Sequence, residues 1–323
     1  MRINMSNWRR YLYFIIGVIF GLEWSNIFRP SLRSRLIYAL IRVLHKQNVP
    51  DEIEKQRGYL DKLQQLVPPP LKLEAHPVNA NGVPCEWVLP SEEISTQVVF
   101  YLHGGAYVTR MPVLHRNFLH HMAQSSQAQF LMVDYRLAPE FPFPAALADA
   151  ITAYEWLLEQ GWQTDQILFA GDSAGGGLTM ATLLALRDLG KPLPAGVILI
   201  SPWTDLAGTG ESLISLKDED VLLDWNNLQE CAADYAAGES LSHPWVSPLY
   251  ADFHGLPDTL IVVGGNEILM DDSTRLAVRM AEDGVEVEMK IEPYMGHVYP
   301  ALGPANPEAQ RALNLIADFI RKC

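Results

Sequence analysis

The chain has 323 residues, 49% of them apolar and 10% aromatic, enough to bury a large core. Its formal charge of −14 would repel a phosphate backbone, which excludes nucleic acid as a natural partner. Three unclustered cysteines, Cys85, Cys231 and Cys323, build neither a disulfide framework nor a metal-ligating pair, and they point to a reducing, cytoplasmic setting. No cofactor or metal is expected.

The charge is uneven. Residues 1–46 hold eight basic side chains (Arg2, Arg9, Arg10, Arg29, Arg33, Arg35, Arg42, Lys46) against Glu23 alone, a balance of +7 that leaves −21 elsewhere. The N-terminal segment is therefore the candidate for contact with an anionic membrane surface. Arg9-Arg10 lead into an apolar run from Tyr11 to Leu22. As a helix that run spans roughly 18 Å, short of a ~30 Å hydrocarbon core. No small-x-small cleavage pattern follows before Trp24. Leu32, Leu36, Leu40 and Leu44 then recur every fourth residue, with Arg33, Arg35 and Arg42 between them, as in a basic amphipathic helix. Residues 1–70 read as a helical lid packing its apolar faces over a pocket. Membrane anchor and signal peptide remain alternatives for residues 1–30.

From about residue 73 the pattern changes. Leu73–Val78 and Pro84–Leu89 flank Asn81-Gly82, a dipeptide suited to a tight hairpin. Strands are expected at Val98–Leu102, Phe130–Asp134, Ile167–Ala170, Val197–Ile200, Leu260–Val263 and Val285–Ile291. Helices are expected near 116–125, 144–159, 174–189, 273–283 and 306–321. Near-continuous apolar strands alternating with helices imply a mostly parallel sheet covered on both faces, with ligands at the carboxyl ends of the strands. No linker or repeat divides residues 71–323, which read as one α/β domain interrupted by a helical lid insert at about 203–245.

Two motifs fall at that edge. Gly171-Asp172-Ser173-Ala174-Gly175 stands between an expected strand and helix, the context in which G-x-S-x-G presents a nucleophilic serine on a sharp turn. The Ala174 N–H then lies at a helix start, where developing negative charge is favoured. Upstream, Val98–Leu102 runs into His103-Gly104-Gly105-Ala106-Tyr107, and the N–H groups of Gly104 and Gly105 are assigned, with that of Ala174, to an oxyanion hole. His103 itself reads as a structural residue holding the loop.

The chain resembles the hormone-sensitive-lipase-like family of α/β-hydrolase esterases. The residues that carry the resemblance are His103-Gly104-Gly105, Asp134-Tyr135-Arg136-Leu137-Ala138-Pro139-Glu140, Phe143-Pro144-Ala145-Ala146, Gly171-Asp172-Ser173-Ala174-Gly175-Gly176, Ser201-Pro202-Trp203 and Ser247-Pro248-Leu249. Where the family has a third glycine, this chain has Ala106. The resemblance implies an α/β-hydrolase fold with a helical lid. Its frame for the triad acid, laid over Gly264-Gly265-Asn266-Glu267, puts the acid at Glu267, with Asp271 the rival; Asp272 reads as a helix cap or a solvated charge. The base is His297, in the loop beyond the final strand.

The expected activity is hydrolysis of short- to medium-chain carboxylic esters, with a small-molecule ester as substrate. Amidase, deacetylase or lactone hydrolase activity with the same triad is the alternative, and a non-catalytic binding protein on this scaffold is a third reading. Tyr107 and Trp203 are candidates either for the acyl pocket or for the core. His115, His120 and His121 lack zinc-site spacing and read as surface or packing residues. Asp134 and the segment from Arg136 to Glu140 read as loop braces. The oligomeric state is open, a homodimer included.

Overall fold

The computed structural model of the chain describes residues 30–45, 52–65, 67, 73–91 and 95–323. Two helices, α1 (Leu32–His45) and α2 (Ile53–Gln64), precede the hairpin of β1 (Glu74–Ala80) and β2 (Val83–Leu89). Then come β3 (Val98–Leu102), α3 (Pro112–Ser126), β4 (Gln129–Val133), α4 (Ala145–Glu159), β5 (Ile167–Asp172), α5 (Ala174–Asp188) and β6 (Gly196–Ile200). The chain continues through α6 (Ser212–Ser215), α7 (Trp225–Ala236), β7 (Thr259–Gly264), α8 (Met270–Glu282), β8 (Val287–Glu292) and α9 (Pro307–Lys322).

These strands form one eight-stranded sheet in the order β1-β2-β4-β3-β5-β6-β7-β8. Strand β2 runs antiparallel to β1 and β4, and all other pairings are parallel. The hairpin turns on Asn81 and Gly82 at φ 52° and 100°, positive at both positions as a tight two-residue turn requires. In β3, Val98, Phe100 and Leu102 face one apolar layer with α4 and α5, while Val99 and Tyr101 face a second with α3 and α9. Both faces are buried, so the strand reads as a continuous apolar run rather than an alternation. The carboxyl ends of β3, β5, β6, β7 and β8 share one edge, and His103-Gly104-Gly105, Ser173, Ser201, Glu267 and His297 follow those strands in turn. The stretch between β6 and β7 holds α6 and α7.

The expected inward leucine face of α1 is overturned. Leu32, Leu36 and Leu40 are 67%, 62% and 58% exposed, and Val43 is 65% exposed. The helix instead docks by its polar side. Ser31 N–H and Ser34 Oγ donate to the Glu308 carboxylate at 2.7 and 2.8 Å, in the first turn of α9, and Asn306 Nδ2 donates to Ser34 Oγ at 2.7 Å. The carboxylate also sits favourably against the positive end of the α9 dipole. The anchor and signal-peptide readings of residues 1–29 lie outside the described residues. No helix among the described residues is long and apolar enough to cross a membrane.

Candidate active site

Ser173 is the hinge between β5 and α5, and its backbone is held at φ 54°, ψ −125°. A non-glycine residue in that region carries strain on the order of 1–3 kcal/mol, and persists only where its surroundings over-determine it. They do so here. Ser173 N–H donates to Ile200 O at 2.9 Å, and its carbonyl accepts from Gly176 N–H at 3.0 Å and Trp203 N–H at 2.9 Å. The flanking glycines admit no side chain: a Cβ on Gly171 would lie 2.3 Å from Gly175 O, and one on Gly175 would lie 2.0 Å from Leu102 O. The turn is tight because β3, β5 and α5 meet backbone to backbone.

His297 follows β8, and Glu267 follows β7. His297 Nδ1 lies 3.4 Å from Glu267 Oε1, with the histidine 8% and the glutamate 0% exposed. A carboxylate can only accept, so this contact puts the ring proton on Nδ1 and leaves a lone pair on Nε2. The spacing is at the long end for a hydrogen bond. Burial lowers the His297 pKa, but the charge and hydrogen bond of Glu267 outweigh it and the net shift is upward. The rival acid points elsewhere: Asp271 Oδ2 accepts Ser212 N–H at 2.9 Å. Asp272 is no solvated charge. It is buried, it accepts the N–H groups of Thr204 and Asp205 at 2.7 and 2.8 Å, and burial raises its pKa to about 8.

Ser201 directly follows β6 and carries no role from the sequence alone. Its Oγ donates to Glu267 Oε2 at 2.8 Å and accepts Val298 N–H at 3.0 Å. One hydroxyl therefore ties the carboxylate to the loop that carries the histidine. Gly264 N–H adds a second donor to Oε2 at 3.2 Å.

The Gly104 assignment needs correction. Its N–H donates to Asp172 Oδ1 at 2.9 Å, so it cannot serve a substrate oxygen. The N–H groups of Gly105 and Ala106 donate to no acceptor among the described residues. The loop reaches this shape through left-handed backbone at Gly105 (φ 127°) and Ala106 (φ 52°), and a Cβ on Gly105 would meet Thr109 O at 2.1 Å. Asp172, the residue before the serine, is what locks the loop. Its Oδ1 also accepts Tyr101 Oη at 2.6 Å and lies 3.4 Å from Nε2 of His115, which is buried rather than at the surface. Burial would raise the Asp172 pKa, but His115, Tyr101 and Gly104 together hold it down at about 2.

Other residues support this floor. The His103 ring stacks on Tyr135 with centroids 4.3 Å apart, and burial together with neighbouring His115 lowers its pKa to about 4. Tyr107 and Trp203 are 1% and 0% exposed, so they are packing and not the lining of an open pocket. Tyr107 stacks on Tyr235 of α7 at 3.7 Å, which fastens the insert to the glycine loop. Arg57 of α2 pairs with Glu140 and donates to Val108 O and Ala138 O at 2.8 and 2.9 Å. Arg136 pairs with Asp149, and Arg110 with Asp134, as braces should. Among the described residues, the grouping with metal-ligand spacing is Asp252, His254 and Asp283, near the opposite edge of the sheet.

The chain is similar to known proteins over most of its length. Residues 99–301 match the family described as alpha/beta hydrolase fold. An acetyl-hydrolase from Streptomyces hygroscopicus is 40% identical over 275 residues, 84% of this chain and 90% of that protein. An esterase from Acinetobacter venetianus is 35% identical over 302 residues, 93% of this chain and 97% of that protein. The crystal structure of an esterase from the bacterial hormone-sensitive lipase family is 37% identical and superposes with a TM-score of 0.87, covering 91% of this chain and 99% of that one. With the strand order, the strained serine turn and these likenesses in agreement, the chain belongs to the α/β-hydrolase fold family and, within it, to the hormone-sensitive-lipase-like esterases.

Proposed function

We propose that this protein hydrolyses short- to medium-chain carboxylic esters through an acyl-enzyme on Ser173. The observation that carries the reading is the strained Ser173 turn sharing a sheet edge with the buried His297–Glu267 pair. His297 Nε2 takes the hydroxyl proton as Ser173 Oγ attacks the ester carbonyl, and Glu267 stabilises the imidazolium. The N–H groups of Gly105, Ala106 and Ala174 receive the oxyanion; each such donor is worth about 100- to 1000-fold in rate. His297 then protonates the departing alcohol, and water releases the acid by the same steps. The relatives named acetyl-hydrolase and esterase support an ester over an amide or lactone. Residues 1–70 and the insert at about 203–245 are proposed as the lid over residues 71–323, supported by Tyr235 stacked on Tyr107 and by Arg57 on the loop around Glu140. Three free cysteines support a cytoplasmic setting, and the basic N-terminal segment supports contact with a membrane surface.

The test is hydrolysis of p-nitrophenyl esters from acetate to laurate. Rates should peak at the short to middle chains; a peak at laurate, or no turnover of any ester, would overturn the proposal.

Two expectations follow from the pair itself. His297 must be neutral to act as base, and its pKa is raised, so kcat/KM should fall as pH drops through an apparent pKa above the ordinary ~6.5. A limb at or below that value would contradict the Glu267 contact. Ser201→Ala should lower kcat about 10- to 100-fold, because a hydrogen bond to a charged group contributes roughly 1.5–3 kcal/mol. KM should barely change, and the pH limb should move as the carboxylate loosens. A variant with lower kcat but an unmoved limb would make Ser201 a packing residue only.

A further inference from the structure

Helix α1 turns its most apolar face to solvent. Leu32, Leu36, Leu40 and Val43 are each 58–67% exposed, and their spacing of four, four and three residues makes one stripe along the helix. The opposite face fixes that orientation. Ser34 is bonded to Glu308 and Asn306, and Tyr38 Oη accepts Gly296 N–H at 2.8 Å, one residue from His297. The helix cannot roll its leucines inward without breaking these bonds.

Charge indicates what covers the stripe. At 3.6 residues per turn, Arg33 falls on one flank of the leucines, with Arg35 and Arg42 on the other. All three arginines are exposed, and the helix contains no acid, in a chain whose net charge is −14. A leucine ridge between two basic margins is the pattern of a helix lying in a lipid interface, apolar side down and guanidinium groups among the headgroups. Residues 1–29 add Arg2, Arg9, Arg10 and Arg29 immediately upstream. A second copy of this face would set arginine against arginine, which argues against self-pairing.

We infer that α1 is an interfacial helix that seats the enzyme on an anionic phospholipid surface. The inference deepens the membrane-surface reading above and rests on it. Because the inner face of α1 holds the loop before His297, docking sets the catalytic edge of the sheet beside the bilayer.

The experiment is co-sedimentation of the full chain with vesicles of phosphatidylcholine alone and of phosphatidylcholine with phosphatidylglycerol in equal parts. The wild type should bind the mixed vesicles, and bind less in high salt. The Leu36→Asp/Leu40→Asp variant should lose about tenfold or more of that partitioning, and Arg35→Gln should weaken it. Both should hydrolyse p-nitrophenyl acetate at the wild-type rate, which shows that they fold. Failure of the wild type to bind either vesicle would overturn the membrane reading itself. Wild-type binding that the double variant retains would overturn the role of α1 alone and assign the contact to residues 1–29. A concentration-dependent dimer abolished by the double variant, without vesicle binding, would assign the stripe to a second copy and overturn the inference.

Discussion

Ser173→Ala is expected to lower kcat on p-nitrophenyl acetate by about 10⁶-fold, the scale seen when a serine hydrolase loses its nucleophile. Folding should survive, because the bonds that hold the turn are made by the backbone: Ser173 N–H to Ile200 O, and Gly176 and Trp203 N–H to the Ser173 carbonyl. Alanine meets the same strain at φ 54° as serine does. His297→Ala should cost nearly as much, and the double variant little more than either single one, since the two groups act as one relay. Steady-state rates of the three variants, with the folded fraction checked by thermal melting, test this. Losses that multiply in the double variant would contradict a shared proton transfer.

Glu267→Gln is the second large effect, about 10⁴-fold in kcat by analogy with loss of the orienting carboxylate in other triads. The amide keeps the shape, and its oxygen can still accept from Ser201. It removes the charge that stabilises imidazolium and can present an N–H to Nδ1, which favours the wrong tautomer. With the carboxylate gone, the largest influence raising the His297 pKa disappears and the alkaline-rising limb of kcat/KM should move to lower pH. Asp271→Asn should leave kcat close to wild type, because that carboxylate accepts Ser212 N–H on the insert. A severe loss in Asp271→Asn beside a mild one in Glu267→Gln would reverse the assignment.

The strands were legible in the sequence because parallel strands buried on both faces must be apolar almost throughout, and β3 to β7 begin and end within one or two residues of the runs that marked them. Ser173 was legible as a candidate for a related reason: it stands where a strand ends between glycines that permit a tight turn. His297 was legible from its place in the loop beyond the last strand. Gly104 was misassigned because its fate is decided across the sheet. The pairing of Leu102 with Gly171 brings Asp172 beside the glycine loop, and no local pattern marks which N–H a distant carboxylate will take. Ser201 was missed for the same reason, since its partners come from the loops after β7 and β8. The periodicity of α1 revealed an amphipathic helix but not which face docks. Ser34 and Tyr38 settled that through Glu308 and Gly296, more than 250 residues away.

The central claim is that Ser173 becomes covalently acylated, and intact-mass spectrometry after treatment with a fluorophosphonate ester tests it most directly. One adduct per chain is predicted, mapped to the peptide containing Ser173, absent from Ser173→Ala and matched by stoichiometric loss of esterase activity. An adduct elsewhere, or full esterase activity in protein labelled at Ser173, would contradict the account.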